Sequence, residues 1–455
     1  MSYLQYFLIS VMYYWGSSTA LSFGIGYFTL YRPIISGLLT GLILGNPAIG
    51  MTAGAIVNLI YMNFVSTGGS FKGDQCLTAI IAAVACITMK LDIIASAAVA
   101  YPFGFLGILI WKYRLNINSI FVKKFESEYE KGNNPEISFY NGFLPQLLLY
   151  IMSTAIIAVA LIIMKSLGTV ILSIDRILFI IGFALIIYAS CSLIIKLKNK
   201  KYIFIFCVSL LITLFFNIPS YVIVLIVLLF LFFFTDKNFI NIRYRKSNVQ
   251  ILEKKDLFYS WLIWANFSHS CYSYERLQGL AFAHSMKNIF KKLYNNKNDI
   301  VEGIHRHSEF FNTEPNMGTP ILGYIISQEE QISINKEGNN NISFVKKGMM
   351  GIAAGLGDSF TQVVLTPLFI SLSVALCIDG YYLLAVVPVL TLGIFILIVS
   401  YTGFMKGYYE GKESLIERIN IVKNSKLKLY FPYIFSGILG VSIGKLVLFN
   451  YMNIF

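Results

Sequence analysis

Polar side chains stand close together between residues 58 and 74, inside an otherwise apolar part of the chain. Asn58, Ser66, Thr67 and Asp74 offer amide, hydroxyl and carboxylate groups, with glycines among them. Such groups can bond the hydroxyls of a sugar, whereas a buried polar group without a partner costs about 1–3 kcal/mol. The strip predicts a substrate site, and a loop joining two helices outside the membrane is the alternative.

A second polar stretch contains Glu275, Arg276 and Gln278 and all four histidines of the chain. Neighbouring residues do not face each other on a helix, so Glu275 and Arg276 each need a partner elsewhere. His305 and His307 are two residues apart, a spacing that does not form a helical metal pair. The alternative for the whole stretch is a solvated amphipathic helix.

The third polar feature is Asp358, next to Gly357 in an apolar context. A carboxylate beside membrane helices is costly, which indicates either a functional site or a buried ion pair. Gly351 and Gly355 form a GxxxG step, a spacing that more often serves helix packing than chemistry.

Small residues also recur near the amino terminus, where they predict close helix contacts in lipid. Pro47 should break the helix in the middle of this segment, and broken helices at membrane depth are tolerated where they are buried or line a cavity. The residues of this segment are Gly41, Gly45, Asn46, Gly50 and Gly54.

The composition sets the fold class, because 56% of the 455 residues are hydrophobic and only 13% are charged. Soluble domains are about 45–50% apolar and about 25% charged. Long apolar blocks, each near the roughly 20 residues that cross a bilayer as a helix, predict about ten spans or part-spans. We expect an all-α polytopic membrane protein with two membrane modules and broken or re-entrant helices.

Charge and polarity divide the chain. The chain has a net charge of +13. In a membrane protein an excess of Lys and Arg is typical of cytoplasmic loops, where it sets the orientation and contacts lipid, so nucleic-acid binding is not expected. Residues 1–235 form one predicted membrane domain, 236–253 a basic cytoplasmic linker, and 254–455 a second domain. In the second domain, residues 254–347 are cytoplasmic or interfacial and residues 348–455 return to the membrane. Residues 203–234 should form a hairpin that turns at Asn217 to Ser220.

No nucleotide-binding or metalloprotease motif occurs, and the six cysteines form no CxxC pair. We therefore expect no cofactor and no metal site. Energy for active transport would come from an ion gradient or from a separate donor protein.

These motifs together resemble the mannose-type sugar permeases of the bacterial phosphoenolpyruvate-dependent phosphotransferase system. Residues 1–235 resemble the IIC subunit through the glycine segment. Residues 250–455 resemble the IID subunit through residues 274–278, 306–313, Glu329 and 351–359. Asn58 and Ser273 depart from the residues usual in the family. The chain is thus similar to a fusion of two subunits that are usually separate.

The resemblance implies an elevator-type core and scaffold in the bacterial cell membrane, with a hexose or amino sugar bound between the IIC and IID parts. A cytoplasmic IIB protein, supplied by IIA, would phosphorylate the sugar, so no histidine of this chain is expected to carry phosphate. The family also forms trimers.

Residue by residue, the resemblance and the polar strips together define two groups. The structural motif residues are the glycine segment, Gly351, Gly355, Gly357 and Asn312. The candidate substrate-binding residues are Asn58, Ser66, Thr67, Asp74, Glu275, Arg276, Gln278 and Asp358.

Two other functions fit the same scaffold, an ion-coupled secondary transporter and a sugar receptor without transport. The sequence does not select one sugar among mannose, glucose, fructose, sorbose and amino sugars.

Overall fold

A computed structural model gives the fold. It describes residues 1–62, 64, 72–133, 135–196, 199–234, 251–335, 342–424 and 426–454. Throughout these residues the chain is helical, and no strand occurs among them beyond isolated bridges at Leu277. The predicted all-α class is confirmed.

Twenty α-helices follow one another along the described parts of the chain. They are α1 Tyr3–Ser17, α2 Pro33–Leu44, α3 Pro47–Tyr61, α4 Gln75–Met89, α5 Ile93–Ala100, α6 Phe103–Glu130, α7 Leu144–Ser166, α8 Gly168–Ser173, α9 Asp175–Lys196, α10 Lys200–Phe216, α11 Ser220–Phe234, α12 Lys254–Phe267, α13 Gly279–Leu293, α14 Lys297–His307, α15 Thr319–Asn335, α16 Ile342–Asp358, α17 Thr366–Ile378, α18 Tyr382–Glu410, α19 Glu413–Asn424 and α20 Lys426–Ile454. Two π-helical segments, Phe139–Phe143 and Ser359–Leu365, lead into α7 and α17.

Six helical segments of the described chain are long and apolar enough to cross a membrane. Four shorter apolar helices of the described residues accompany them. The long segments are Ile93–Glu130, Phe139–Ser166, Asp175–Ile195, Ile342–Ile378, Tyr382–Glu410 and Leu429–Asn450.

The predicted break at Pro47 is confirmed, because α2 ends at Leu44 and α3 begins at Pro47. Gly45 has a φ of 85°, which favours glycine, and the Asn46 side chain caps α3 by accepting a bond from the Ile49 amide at 3.2 Å. The two helices lie against each other so closely that a Cβ on Gly50 would collide with the backbone at Gly37 and Gly41.

The predicted turn within residues 203–234 is observed, because α10 ends at Phe216, α11 begins at Ser220, and Asn217 between them is in the left-handed conformation. The carboxy-terminal helix α20 packs along α10, where Gly440 and Gly444 lie against Ser209 and Thr213. The two halves of the chain therefore share one membrane interior.

The polar stretch differs from the single amphipathic helix considered as the alternative. It forms four helices, α12 to α15, which are separated by loops at 268–278, 294–296 and 308–318. Pro315, in the third of these loops, lacks the amide hydrogen that a continuous helix needs. The loops matter because they carry the polar groups of the site described below.

The packing predicted for the GxxxG step is not observed. A Cβ on Gly351 or Gly355 would meet nothing within 4 Å, so that face of α16 is open among the described residues. Gly357 is different, because a Cβ there would collide with the side chains of Glu314 and Met317.

A charged pair anchors the turn between α10 and α11 inside the membrane part. Lys445 of α20 lies 2.9 Å from Asp379, and its ammonium also donates to the Asn217 side chain at 2.6 Å. Asp379 in turn accepts a bond from the Ser220 amide at 2.9 Å. Lys445 is buried, so the pair is shielded from solvent and from salt.

A buried network joins the helices of the polar stretch. Glu329 accepts bonds from Arg306 at 2.9 Å, from His307 at 2.8 Å and from Tyr294 at 2.7 Å. Burial alone would raise the pKa of Glu329, but the bonds from His307 and Arg306 hold that pKa at about 2. Burial lowers the pKa of His307 to about 4, so His307 is a neutral donor at pH 7.

The substitution Lys445→Met should destabilise the protein, because it leaves the Asp379 carboxylate in the membrane part without its cation. Removing one member of a buried pair costs about 3–5 kcal/mol. The midpoint of thermal unfolding in detergent should fall, and Lys445→Met/Asp379→Asn should recover part of the loss. Lys165→Met removes an exposed lysine and is the control. A single variant as stable as wild type would show that the pair contributes nothing.

Acid should destabilise the fold in two stages. The unfolded chain protonates His307 near its ordinary pKa of 6.5 and the folded protein only near 4, so stability falls as the pH drops through that range. Glu329 adds a further loss between pH 4.5 and about 2. Unfolding midpoints measured from pH 7 to pH 4 should fall for wild type and less for His307→Gln. The exposed His305, changed to Gln, should behave as wild type, and equal slopes in all three proteins would contradict this assignment.

Candidate functional site

A cavity that opens to solvent and is lined by apolar surface with several polar groups lies where the two halves of the chain meet. It encloses about 1080 Å³ including its open mouth. The first half lines it with Gly16, Ser17, Ser18, Thr19, Gly24, Tyr27, Phe28, Tyr31, Trp111 and Arg114. The second half contributes Ser268, His269, Tyr272, Asn312, Thr313, Glu314, Pro315, Asn316, Ala354, Asp358 and Gln362.

The first half holds the 268–278 loop by its backbone. Arg114 donates to the carbonyls of His269 at 2.6 Å and Ser270 at 2.8 Å. Asn118 donates to the same Ser270 carbonyl at 3.2 Å and to that of Tyr272 at 2.9 Å. These donors lie on α6 and are buried, so the carbonyls of the loop are bonded to protein side chains rather than to water.

Aromatic rings form one side of the cavity. Tyr27 and Tyr31 stack with centroids 5.4 Å apart, and the Arg114 guanidinium lies 5.6 Å from the centre of the Trp111 ring. From the opposite half, the Tyr272 hydroxyl donates to the Asn312 side chain at 2.9 Å. Ring faces beside fixed polar groups are typical of small-molecule sites.

Two carboxylates face the same cavity. Glu314 is buried and accepts bonds from the amides of Asn316 at 3.1 Å and Met317 at 2.5 Å. Burial, reinforced by the nearby charge of Asp358, raises the pKa of Glu314 to about 7. Asp358 accepts a bond from the Gln362 side chain at 3.0 Å. The pair supplies strong hydrogen-bond acceptors at a point where both loops meet the membrane helices.

Gln278 is buried behind the cavity and holds the 308–318 loop. Its side-chain oxygen accepts from the Thr313 amide at 2.9 Å, and its nitrogen donates to the Thr313 carbonyl at 3.0 Å. The same nitrogen lies 3.2 Å from the His269 ring. Gln278 therefore fixes Asn312 and Glu314 through the residue between them.

Glu275 and Arg276 lie outside the cavity and connect the halves at the surface. The Arg276 guanidinium lies 2.6 Å from Glu126, and Glu275 lies 3.4 Å from Lys123. Both partners belong to α6, so each residue finds its partner on another element, as their adjacency in the sequence requires.

Asp74 is buried beside the cavity but does not line it. Its carboxylate caps α4 through the Leu77 amide at 2.9 Å and accepts from the Tyr13 hydroxyl at 2.7 Å. It also interacts with Tyr31, which does line the cavity. Asn58 lines a smaller neighbouring cavity. Ser66 and Thr67 lie outside the described residues, so their predicted roles stay predictions.

The structure thus brings Asp358 and Asn312 directly to the cavity, and sequence analysis missed several residues that join them. Trp111 and Arg114 lie where the apolar block passes into a charged stretch, and for this reason the sequence did not indicate that they line a cavity. Glu314 directly follows the recognised Asn312-Thr313 pair, and that position was the available signal. Nothing in the sequence distinguishes Tyr27 and Tyr31 from the other aromatic residues of the first apolar block.

Comparison with known families identifies both halves. Residues 251–443 match the PTS system mannose/fructose/sorbose family IID component, and residues 3–233 match the PTS system sorbose-specific IIC component. The chain belongs to the mannose-type phosphotransferase-system permeases. The predicted IIC and IID resemblance is confirmed, and the chain is a multi-pass protein of the bacterial cell membrane.

Several characterised proteins are similar to parts of this permease. The fructose permease IID component of Bacillus subtilis (strain 168) is 33% identical over 36% of this chain and 60% of its own length. The mannose-specific EIID component of Escherichia coli (strain K12) is 32% identical over 35% of this chain and 55% of its own length. The sorbose-specific EIIC component of Lacticaseibacillus casei is 26% identical over 33% of this chain and 55% of its own length. The chain therefore spans little more than half the length of these relatives.

A solved structure of the mannose transporter ManYZ in complex with microcin E492 is also similar. Its match has 29% identity and a TM-score of 0.33, and covers 44% of this chain and 70% of that one.

The substitution Gln278→Leu should weaken binding of a ligand in the cavity, because it leaves the Thr313 amide and carbonyl buried without partners. Each such group costs about 1–3 kcal/mol, so we expect the loop to shift. If a hexose occupies the cavity, its affinity should fall about tenfold or more. Binding to the purified protein can be measured by calorimetry. Gln331→Leu, an exposed glutamine on α15, is the matched control, and unchanged affinity in Gln278→Leu would remove this residue from the site.

Proposed function

We propose that this chain is the sugar-translocating membrane component of a mannose-type phosphotransferase system. It would import a hexose or amino sugar that a separate IIB protein, supplied by IIA, phosphorylates. The observation that supports this function is the shared cavity, in which both halves present polar and aromatic groups to one space. Membership of the family favours phosphotransfer over ion coupling or a receptor role.

The cavity suits a polyhydroxyl ligand. Asp358 and Asn312 offer acceptors for sugar hydroxyls, and a charged acceptor forms stronger bonds than a neutral one. Glu314, whose pKa is raised to about 7, accepts a hydroxyl when ionised and donates to one when protonated. Trp111 and Tyr27 can cover the less polar faces of a pyranose or furanose ring. We assign direct contact to these five residues.

Other predicted residues would act through them. Gln278 positions Asn312 and Glu314 through Thr313, and Asp74 positions Tyr31. Glu275 and Arg276 hold the IID part on α6 at the surface. In this proposal Asp358 contacts sugar rather than serving only as an ion pair.

The cavity also relates to movement and assembly. Because its lining comes from both halves, a motion that separates α6 from the 268–278 loop would open it, as an elevator-type core moving against a scaffold would require. His284 and His307 are buried in hydrogen bonds, which agrees with phosphate being carried by IIB rather than by this chain. A trimer of such units completes the proposal by analogy with the family.

The substitution Asp358→Asn should reduce uptake tenfold or more, because a neutral amide replaces a charged acceptor inside the cavity. The assay is accumulation of labelled hexose phosphate in vesicles that contain phosphorylated IIB, with mannose, glucose, fructose, sorbose and glucosamine as probes. Asp299→Asn, an exposed aspartate on α14, is the matched control.

Two results would contradict the proposal. Accumulation of unmodified sugar that an ionophore abolishes would indicate ion-coupled transport, and binding of sugar without flux would indicate a receptor. Wild-type uptake by Asp358→Asn would remove only this residue from the site.

A further inference from the structure

A second, smaller polar cavity adjoins the first inside the membrane part. It encloses about 380 Å³ including its mouth, and it shares Tyr27 and Gln362 with the larger cavity. Its lining consists of Tyr27, Arg32, Asn58, Tyr61, Met62, Phe64, Gln75, Gln362, Thr366, Pro367 and Ile370.

Three polar atoms on its walls are buried without a hydrogen-bond partner. They are the Arg32 Nε, the Asn58 Nδ2 and the Gln362 Oε1. Arg32 is 6% exposed and Asn58 is 3% exposed. Buried polar groups are normally paired, and each unpaired one costs about 1–3 kcal/mol. The two unpaired donors, on Arg32 and Asn58, indicate a ligand that supplies acceptors to this cavity, whereas the Gln362 Oε1 needs a donor.

Arg32 has no carboxylate partner among the described residues, where the arginines that form ion pairs are Arg276 and Arg306. Its guanidinium lies 4.5 Å from the centre of the Tyr27 ring and shares a side-chain hydrogen bond with Tyr27. The residues between Asn58 and Lys72 contain no Asp or Glu. A cation isolated from water in a membrane protein is costly, and it is normally retained where it meets an anion.

We propose that the second cavity is a subsite for a monovalent anionic group, a carboxylate or a halide. Arg32 and Asn58 each donate to it, and the Tyr27 ring holds the guanidinium in place. Asn58 supplies a donor and no charge, so the cavity keeps the positive charge that an anion requires.

The position of the subsite suggests the source of the anion. Gln362 lines both cavities and donates to Asp358, which places the subsite directly beside the proposed sugar site. A sugar acid could therefore lie with its ring in the larger cavity and its carboxylate against Arg32. The assignment of a sugar acid rests on the proposed function. Binding of a free halide at the same place would not depend on that function.

The substitution Asn58→Asp tests the subsite, because it places a carboxylate of the protein itself beside Arg32. Purified full-length protein is titrated with hexuronates and with the matching neutral hexoses, glucuronate with glucose and galacturonate with galactose. Chloride is added separately in a buffer whose other anions are bulky sulfonates, and thermal unfolding is recorded. A ligand that binds the folded state raises the unfolding midpoint.

For the wild type we expect one hexuronate to bind at least tenfold more tightly than its neutral hexose. Asn58→Asp should lower hexuronate affinity at least tenfold, abolish the preference for hexuronate over the neutral hexose, and raise the unfolding midpoint without ligand. Asn295→Asp adds the same charge at an exposed position and should behave as wild type.

The outcomes separate the subsite from the proposed function. A response to chloride that Asn58→Asp abolishes, without a preference for hexuronate, supports the anion subsite with a free ion as its occupant. No response of the wild type to chloride or hexuronate overturns the subsite, even if neutral hexoses bind. Anion binding without any hexose binding would count against the sugar-transport proposal alone.

Discussion

The hold of α6 on the backbone of the 268–278 loop is the interaction on which the site depends. Arg114 and Asn118 are buried donors. The carbonyls they bond belong to a loop, which lacks the internal backbone hydrogen bonds of a helix. Without these donors the loop would carry unpaired carbonyls beside a membrane, each at a cost of several kcal/mol. Because the donors come from the IIC part and the acceptors from the IID part, one set of bonds both joins the two parts and forms the wall of the cavity.

Polar groups in this protein fall into two classes that differ in what surrounds them. Glu329 is saturated, with bonds from Arg306, His307 and Tyr294, and such a network stabilises packing but leaves nothing for a ligand. Arg32 and Asn58 are buried with unpaired donors, and these donors line a cavity. The cluster around Glu329 is therefore structural, because all its other members are bonded to Glu329. Arg32 and Asn58 lie instead where a ligand could supply the missing acceptors.

The fold could be predicted where local physics acts alone. Apolar length fixed the helical membrane class, Pro47 fixed the break between α2 and α3, and Asn217 fixed the turn between α10 and α11, because each depends on residues close in sequence. The four helices between residues 254 and 335 were not foreseen, since their separation depends on loops that are stabilised by partners far along the chain. Gly351 and Gly355 show the converse error: a packing motif was present, but no helix lies against it within the described residues.

The sequence by itself determined the family and the membrane location, because these follow from composition and from motifs read in order. It also marked Asp358 as a candidate site residue and Asn312 as a motif residue, and both line the cavity. Only the tertiary structure decided which polar residues face the cavity and which stand behind it. Gln278 and Asp74 look like ligand contacts in a sequence, yet their bonding atoms are already occupied by Thr313 and Tyr13. The physical reason is that hydrogen-bond capacity is finite, and its use is settled by neighbours that are distant in sequence and adjacent only after folding.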